Sequence, residues 1–159
     1  MSLLKKEPVK RVEKFLKEFD DSLKIIPLDT SARTAKEAAT SLKCEVGAII
    51  KSLVIKTDNK FTLYLISGDK KASFNKIKKN LNIKDAHMAS ADEVKNATGF
   101  TIGGVSPVGH ISKIDVYIDN SLERFNDLYA AAGHPNCVFK IDFVRLQKIT
   151  NGLISDITE

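Results

Sequence analysis

Lys51 interrupts one of the most apolar stretches of the chain, between Ala48-Ile49-Ile50 and Leu53-Val54-Ile55. Lysine is seldom placed inside an apolar run, because its ammonium ion is strongly hydrated and costly to bury. One interpretation is a lysine at a strand end whose amine reaches back to water. The other is a functional amine, and the residues alone leave both open.

A second candidate is the segment 99–109, GFTIGGVSPVG, which holds four of the eight glycines and one of the four prolines. Glycine lets the main chain approach a ligand closely and adopt a positive φ. Backbone N–H groups held in this way can stabilise an oxyanion. The alternative is a tight connection between a helix and a strand, with no ligand.

A serine nucleophile within this segment is disfavoured. In Gly104-Val105-Ser106-Pro107-Val108-Gly109 the second glycine comes one position too late for a G-x-S-x-G elbow. An elbow also uses the backbone N–H of the residue after its serine, and proline has none. We therefore expect that Ser106 is not a nucleophile.

Nucleotide and metal motifs are also absent. The glycines fit neither GxGxxG nor GxxxxGK[ST]. The histidines His87, His110 and His134 lack the spacings that build zinc sites, and Cys44 and Cys137 form no CxxC pair. We expect no cofactor, no metal and two free thiols in a reducing cytoplasm.

Hydrophobic periodicity and capping residues indicate the elements that position these candidates. Helices are predicted over 8–21, after the capping residues Thr34, Ser73, Ser90 and Asp142, and briefly from Asn120 or Ser121 to Phe125. Strands are predicted over 23–28, 51–56, 61–67, 114–119, 128–132 and 137–141, with an edge strand within 153–157. The irregular interleaving favours an α/β (α+β) fold, with a mixed sheet surrounded by helices in a single domain over 1–159.

Composition is compatible with this interpretation. The 159 residues carry a formal charge of +5, which weakly favours a polyanionic partner. No apolar run approaches the roughly 20 residues that cross a bilayer, and the N-terminus does not resemble a signal peptide. We expect a cytoplasmic protein with no membrane partner.

Three segments, 48–54, 98–109 and 131–136, occur together in a recognisable order: AIIKSLV, TGFTIGGVSPVG and AAGHPN. Together they resemble the YbaK/EbsC family of aminoacyl-tRNA deacylases, the free-standing relatives of the editing domain of bacterial prolyl-tRNA synthetase. The resemblance extends from about 31 to 157, and K[ST]LV combined with GGxxPxG is far more specific than either motif alone.

The resemblance implies a central, partly closed mixed sheet and hydrolysis of the ester that joins a wrong amino acid to tRNA, without a metal or covalent intermediate. It assigns catalytic roles to Lys51 and Gly104. Lys51 would bind the terminal phosphate or sugar and orient the ester, while the glycine loop would hold the aminoacyl group and a water. The implied substrate-binding residues are Ser52, Gly103, Val105, Ser106, Pro107, Gly109, Gly133 and His134. The implied partner is aminoacyl-tRNA. An aminoacyl-tRNA synthetase on which the domain docks is a further candidate partner.

Two departures from the family pattern leave the amino acid open. Some members carry a tyrosine where this chain has Ile26 or Pro27, and an acidic residue near Val138. His134-Pro135 resembles a motif of branches that remove alanine. A synthetase pocket separates similar amino acids weakly, so a second, hydrolytic pocket is useful. The small residues and main-chain groups of the glycine-rich loop suit a small pocket, and we expect a substrate such as Cys, Ala or Ser, with tRNA-Pro as one carrier.

Two other functions remain alternatives. The chain could be a catalytically inactive module that binds or senses aminoacyl-tRNA, although retention of Lys51 argues against this. It could also be a hydrolase of free esters or nucleotides, whose activity would respond little to salt.

Overall fold

The computed structural model describes residues 2–29 and 34–159. Within them, no helix combines the length and the apolar character needed to cross a membrane.

Five α-helices form where capping and periodicity predict them. They are α1 (Glu7–Phe19), α2 (Ala35–Leu42), α3 (Phe74–Leu81), α4 (Ala91–Thr98) and α5 (Phe143–Thr150). Ser90 and Glu93 form a complete capping box at α4, which satisfies backbone donors that the first turn leaves free. The short helix after Asp119 is a 3₁₀ turn, Asn120–Arg124.

Eight strands form two sheets. The strands are β1 (Ile25–Pro27), β2 (Ile50–Thr57), β3 (Lys60–Ser67), β4 (Ala86–Met88), β5 (Asp115–Asp119), β6 (Leu128–His134), β7 (Cys137–Ile141) and β8 (Leu153–Ser155). One sheet has the order β1-β7-β6 and the other β4-β2-β3-β5-β8. The larger sheet is mixed, since β3–β5 and β5–β8 are parallel while β2 pairs antiparallel with β3 and β4.

The predicted α/β fold with a mixed sheet and surrounding helices is confirmed. The described strands form two sheets, and an isolated parallel bridge between Ile49 and Tyr129 links them at the start of β2. Strand β4 was not predicted. It has only three residues, one half-buried and two exposed, and so few residues show no hydrophobic period.

The two faces of β2 pack against different clusters. Ile50 and Val54 belong to the main core between the sheets, whereas Ile55 belongs to a smaller cluster beneath α3. Because side chains alternate along a strand, Ser52 shares the face of the main core and Lys51 the opposite face. Helix α1 covers the three-stranded sheet with Val9, Val12 and Leu16, all fully buried.

Candidate active site

A cavity of about 230 Å³ lies where the beginning of β2 meets β6, β7, α2 and the glycine-rich loop. Strand β4 pairs with β2 only at residues 55–57, so the outer edge of β2 at residues 50–54 is not covered by β4. The cavity is lined by Thr34, Ala35, Ala38, Ile49, Ile50, Lys51, Ser52, Leu53, Ile102, Gly103, Val105, Tyr129, Ala131, Pro135 and Val138.

Lys51 lines this cavity and is half-buried. Its Nζ donates to the carbonyl oxygen of Lys70 at 2.7 Å, which fixes the direction of the side chain. Burial lowers the pKa of Lys51 below its usual value; the charge of Asp69 opposes this shift and that of Lys71 adds to it. An ammonium group has three N–H donors, so the bond to Lys70 leaves two for a ligand.

A polar network, exposed at Arg124 and Asp69 and buried at Ser67, supports the segment that holds Lys51. Arg124 donates to both carboxylate oxygens of Asp69, at 2.8 and 3.1 Å, and this bidentate contact lowers the pKa of Asp69 to about 2. Arg124 also donates to Ser67 Oγ at 2.9 Å, and Ser67 in turn donates to the carbonyl of Gly47. Because Asp69 directly precedes Lys70, the network fixes the carbonyl that accepts the bond from Lys51.

Ser52 lines the cavity from the face of β2 that also carries the core residues Ile50 and Val54. Its Oγ is buried, and among the described residues no group lies within hydrogen-bonding distance of it. A buried hydroxyl without a partner is unfavourable for folding. Such an atom beside a cavity is suited to bonding a ligand.

The glycine-rich loop contributes Gly103 and Val105 to the cavity wall. Gly103 has φ +92°, a conformation that favours glycine. In the part of the chain that the structure describes, the N–H groups of Gly103 and Val105 donate to no protein acceptor. Gly104 differs, since its N–H donates to Thr101 and its carbonyl accepts from Gly133, at 3.0 and 3.1 Å. Among the described residues of the loop, the backbone donors without a partner at the cavity are therefore those on either side of Gly104.

The other predicted loop residues lie away from the cavity. Ser106 is fully buried, and its Oγ accepts from the N–H of Val108 at 3.2 Å, an arrangement typical of a turn-stabilising serine. Pro107 and Gly109 line a separate depression beside α1.

Gly133 and His134 lie at an irregularity in the pairing of β6 with β7. His134 Nδ1 accepts from the N–H of Asn136 at 3.0 Å, and the next residue, Pro135, lines the cavity. The structure thus brings Lys51, Ser52, Gly103 and Val105 together at the cavity, with Gly104, Gly133 and His134 packed behind them.

Sequence reasoning did not single out several cavity residues. Tyr129 and Ala131 are alternate residues of β6, so strand periodicity places them on one face, and Ala38 lies on the alanine-rich face of α2. Val138, the site of one family departure, lines the cavity and pairs with Ile26, the site of the other. Both departures therefore meet at this wall.

No group of three or more His, Cys, Asp or Glu side chains close enough to hold a metal ion occurs in residues 2–29 and 34–159. Cys44 and Cys137 are free thiols, as the sequence predicted, although Cys44 is only half-buried.

Comparisons with known proteins identify the family of the chain. Residues 29–149 match the model of the family described as "Aminoacyl-tRNA editing domain". The proline–tRNA ligase of Macrococcus caseolyticus is 33% identical over 100 residues, which cover 63% of this chain and 17% of that protein. The chain thus spans about one sixth of the length of that ligase. The uncharacterized protein YwhH of Bacillus subtilis is 32% identical over 118 residues, 74% of each chain.

A solved structure described as a candidate trans-editing enzyme for prolyl-tRNA synthetase superposes with a TM-score of 0.91 at 34% identity. The superposition covers 97% of this chain and 98% of the chain of that structure. A second, described as hypothetical protein APE2540, gives 0.87 at 27% identity. The expected resemblance to free-standing editing domains is confirmed. The chain belongs to the aminoacyl-tRNA editing domain family.

Proposed function

We propose that the protein hydrolyses the ester bond of misacylated aminoacyl-tRNA that carries a small amino acid. The observation that carries the proposal is the convergence of three kinds of polar group on one small cavity. These are the Lys51 ammonium, the Ser52 hydroxyl and the N–H groups of Gly103 and Val105, of which the hydroxyl and the N–H groups have no partner among residues 2–29 and 34–159.

The chemistry needs a water, the ester and groups that stabilise negative charge. Water adds to the acyl carbon, the bond from that carbon to the ribose oxygen breaks, and the products are a free amino acid and a tRNA with a free terminal hydroxyl. Negative charge develops on the acyl oxygen, and the backbone N–H groups of Gly103 and Val105 donate hydrogen bonds to it. Lys51 binds the terminal phosphate or sugar and orients the ester, and the ribose hydroxyl beside the ester assists the attacking water.

The lining favours a small amino acid. Ala38, Ala131 and Val138 give the cavity short apolar walls, and Ser52 supplies one polar contact. A synthetase pocket separates amino acids that differ by one methylene by only about 1 to 3 kcal/mol, so a second hydrolytic pocket adds selectivity. Cys, Ala and Ser are the amino acids we propose.

We propose tRNA-Pro as the carrier, because several relatives are named as proline–tRNA ligases and one solved relative is described as a candidate trans-editing enzyme for prolyl-tRNA synthetase. That synthetase is then the partner that produces the misacylated substrate. Aminoacyl-tRNA is made and consumed in the cytoplasm, where we place the activity.

A deacylation screen tests the proposal, with Cys, Ala, Ser and Pro each attached to tRNA-Pro. We expect turnover of at least one small noncognate amino acid, slow release of Pro, and rates that fall steeply as salt rises, because lysine–phosphate contacts release counterions. Binding of the tRNAs without turnover of any would instead establish a binding module. Salt-insensitive hydrolysis of free amino-acid esters, with none on tRNA, would establish a small-molecule hydrolase.

A further inference from the structure

Arg11, on α1, joins the two ends of the glycine-rich loop. Its Nη2 donates to the carbonyl of Gly99 at 3.0 Å and its Nε donates to the carbonyl of Gly109 at 3.2 Å. Its guanidinium also lies 5.0 Å from the centre of the Phe100 ring, over a side chain that is fully buried. One side chain therefore contacts the first, second and last residues of the segment 99–109.

The loop is built against α1 at other points as well. A Cβ atom added to Gly109 would lie 3.3 Å from the N of Val12, and one added to Gly133 would lie 2.8 Å from the carbonyl of Pro8. Both glycines have positive φ, +82° and +92°. The backbone of α1 is thus in contact with the loop end and with the β6 irregularity that bonds Gly104.

Helix α1 lies outside residues 29–149, the segment matched by the family model. A loop whose ends are fixed at one point has fewer conformations available to its middle. The middle here carries Gly103 and Val105, which line the cavity and whose N–H groups donate to no acceptor among the described residues.

We propose that Arg11 is a positioning residue for the reaction, which holds the segment 99–109 so that the backbone donors of Gly103 and Val105 stay at the cavity. The guanidinium suits this role because its planar fork offers several donors in fixed directions, whereas lysine offers a single point charge. The proposal rests on the proposed deacylase function for its kinetic consequence. Its structural consequence, an ordered loop, is independent of that function.

The test compares Arg11→Met, Arg11→Lys and a matched control, Lys10→Met, which removes the same charge from an exposed position on the same helix. Arg11→Met keeps a flexible apolar stem beside Phe100. We expect kcat for deacylation to fall about 10- to 100-fold in Arg11→Met, the loss that a displacement of about 1 Å can cause, with KM changed less than twofold. Arg11→Lys restores part of kcat, and Lys10→Met leaves kcat unchanged.

Amide hydrogen exchange gives the second measurement. The N–H groups of Gly104 and Gly133 are bonded across the loop, so we expect them to exchange at least tenfold faster in Arg11→Met and at the wild-type rate in Lys10→Met. Unchanged exchange and unchanged kcat in both Arg11 variants would overturn the proposal. If Arg11→Met does not fold, Arg11→Lys must show the same two changes to a smaller degree, and their absence overturns it equally. If the wild type deacylates nothing, the proposed function fails, while the exchange measurement still decides whether Arg11 orders the loop.

Discussion

Replacing Ser52 by alanine should make the protein more stable and less active. Its Oγ is buried without a partner among the described residues, and an unsatisfied buried polar group costs about 1 to 3 kcal/mol. Ser52 lines a cavity that opens to solvent, so we expect the lower end, a gain of about 1 kcal/mol in the free energy of unfolding. For a chain of 159 residues this raises Tm by about 2 to 4 °C.

The same change should remove one hydrogen bond to the substrate. A neutral hydrogen bond contributes about 0.5 to 1.5 kcal/mol, which corresponds to a loss of about 2- to 10-fold in kcat/KM. The assays are thermal unfolding and deacylation of tRNA-Pro that carries the small amino acid found in the screen.

Ser106→Ala is the matched control, since Ser106 Oγ is also buried but is bonded to the N–H of Val108. There we expect the opposite pattern, a loss of about 1 kcal/mol of stability with most activity retained. A lower Tm in Ser52→Ala, or a larger loss of activity in Ser106→Ala than in Ser52→Ala, would show that the Ser52 hydroxyl is not an unsatisfied group that binds substrate. A large loss of activity in Ser106→Ala would also restore that serine as a candidate nucleophile.

Three further predictions concern the surroundings of the site. Gly133→Ala should lower the free energy of unfolding by about 2 to 5 kcal/mol, because φ is +92° and the new Cβ would lie 2.8 Å from the Pro8 carbonyl; an unchanged melting curve would contradict this. Burial lowers the pKa of His110, so below pH 6.5 the unfolded chain binds a proton that the folded chain does not, and stability should fall as pH drops. His110→Gln should weaken that pH dependence in denaturant titrations, and an identical slope would exclude the assignment. Asp69→Asn removes a charge that raises the pKa of Lys51, so the alkaline loss of deacylation should begin at lower pH than in the wild type; an unmoved profile would count against a protonated Lys51.

Features set by neighbouring residues were predictable from the sequence. Helix α4 begins where Ser90 and Glu93 can bond each other's backbone groups, and the β2–β3 hairpin follows from two β-rich runs around a polar turn. The motif residues Lys51, Ser52 and Gly103 were also found from the sequence, through the resemblance, and the structure places all three at one cavity.

Features set by distant residues were not predictable in the same way. Arg11 contacts Gly109 across 98 positions and Arg124 contacts Asp69 across 55, and no local period encodes either pair. The division into two sheets likewise depends on which strands meet. In the described part of the chain, the loop N–H groups without a partner lie on both sides of Gly104 rather than on it, because pairing with Thr101 and Gly133 uses the polar groups of Gly104. A motif can identify such a loop but not which of its donors remain available.

If Lys51 and the backbone of the glycine loop catalyse deacylation as proposed, removing the Lys51 ammonium must slow the reaction. Deacylation of the best substrate in the screen is compared between the wild type and Lys51→Ala, with a melting curve for each. We predict a fall of about 100-fold or more in kcat/KM with the fold intact, since removing one preorganised charged donor costs about that much. A Lys51→Ala protein that melts normally and deacylates at the wild-type rate would show that Lys51 is not a catalytic residue.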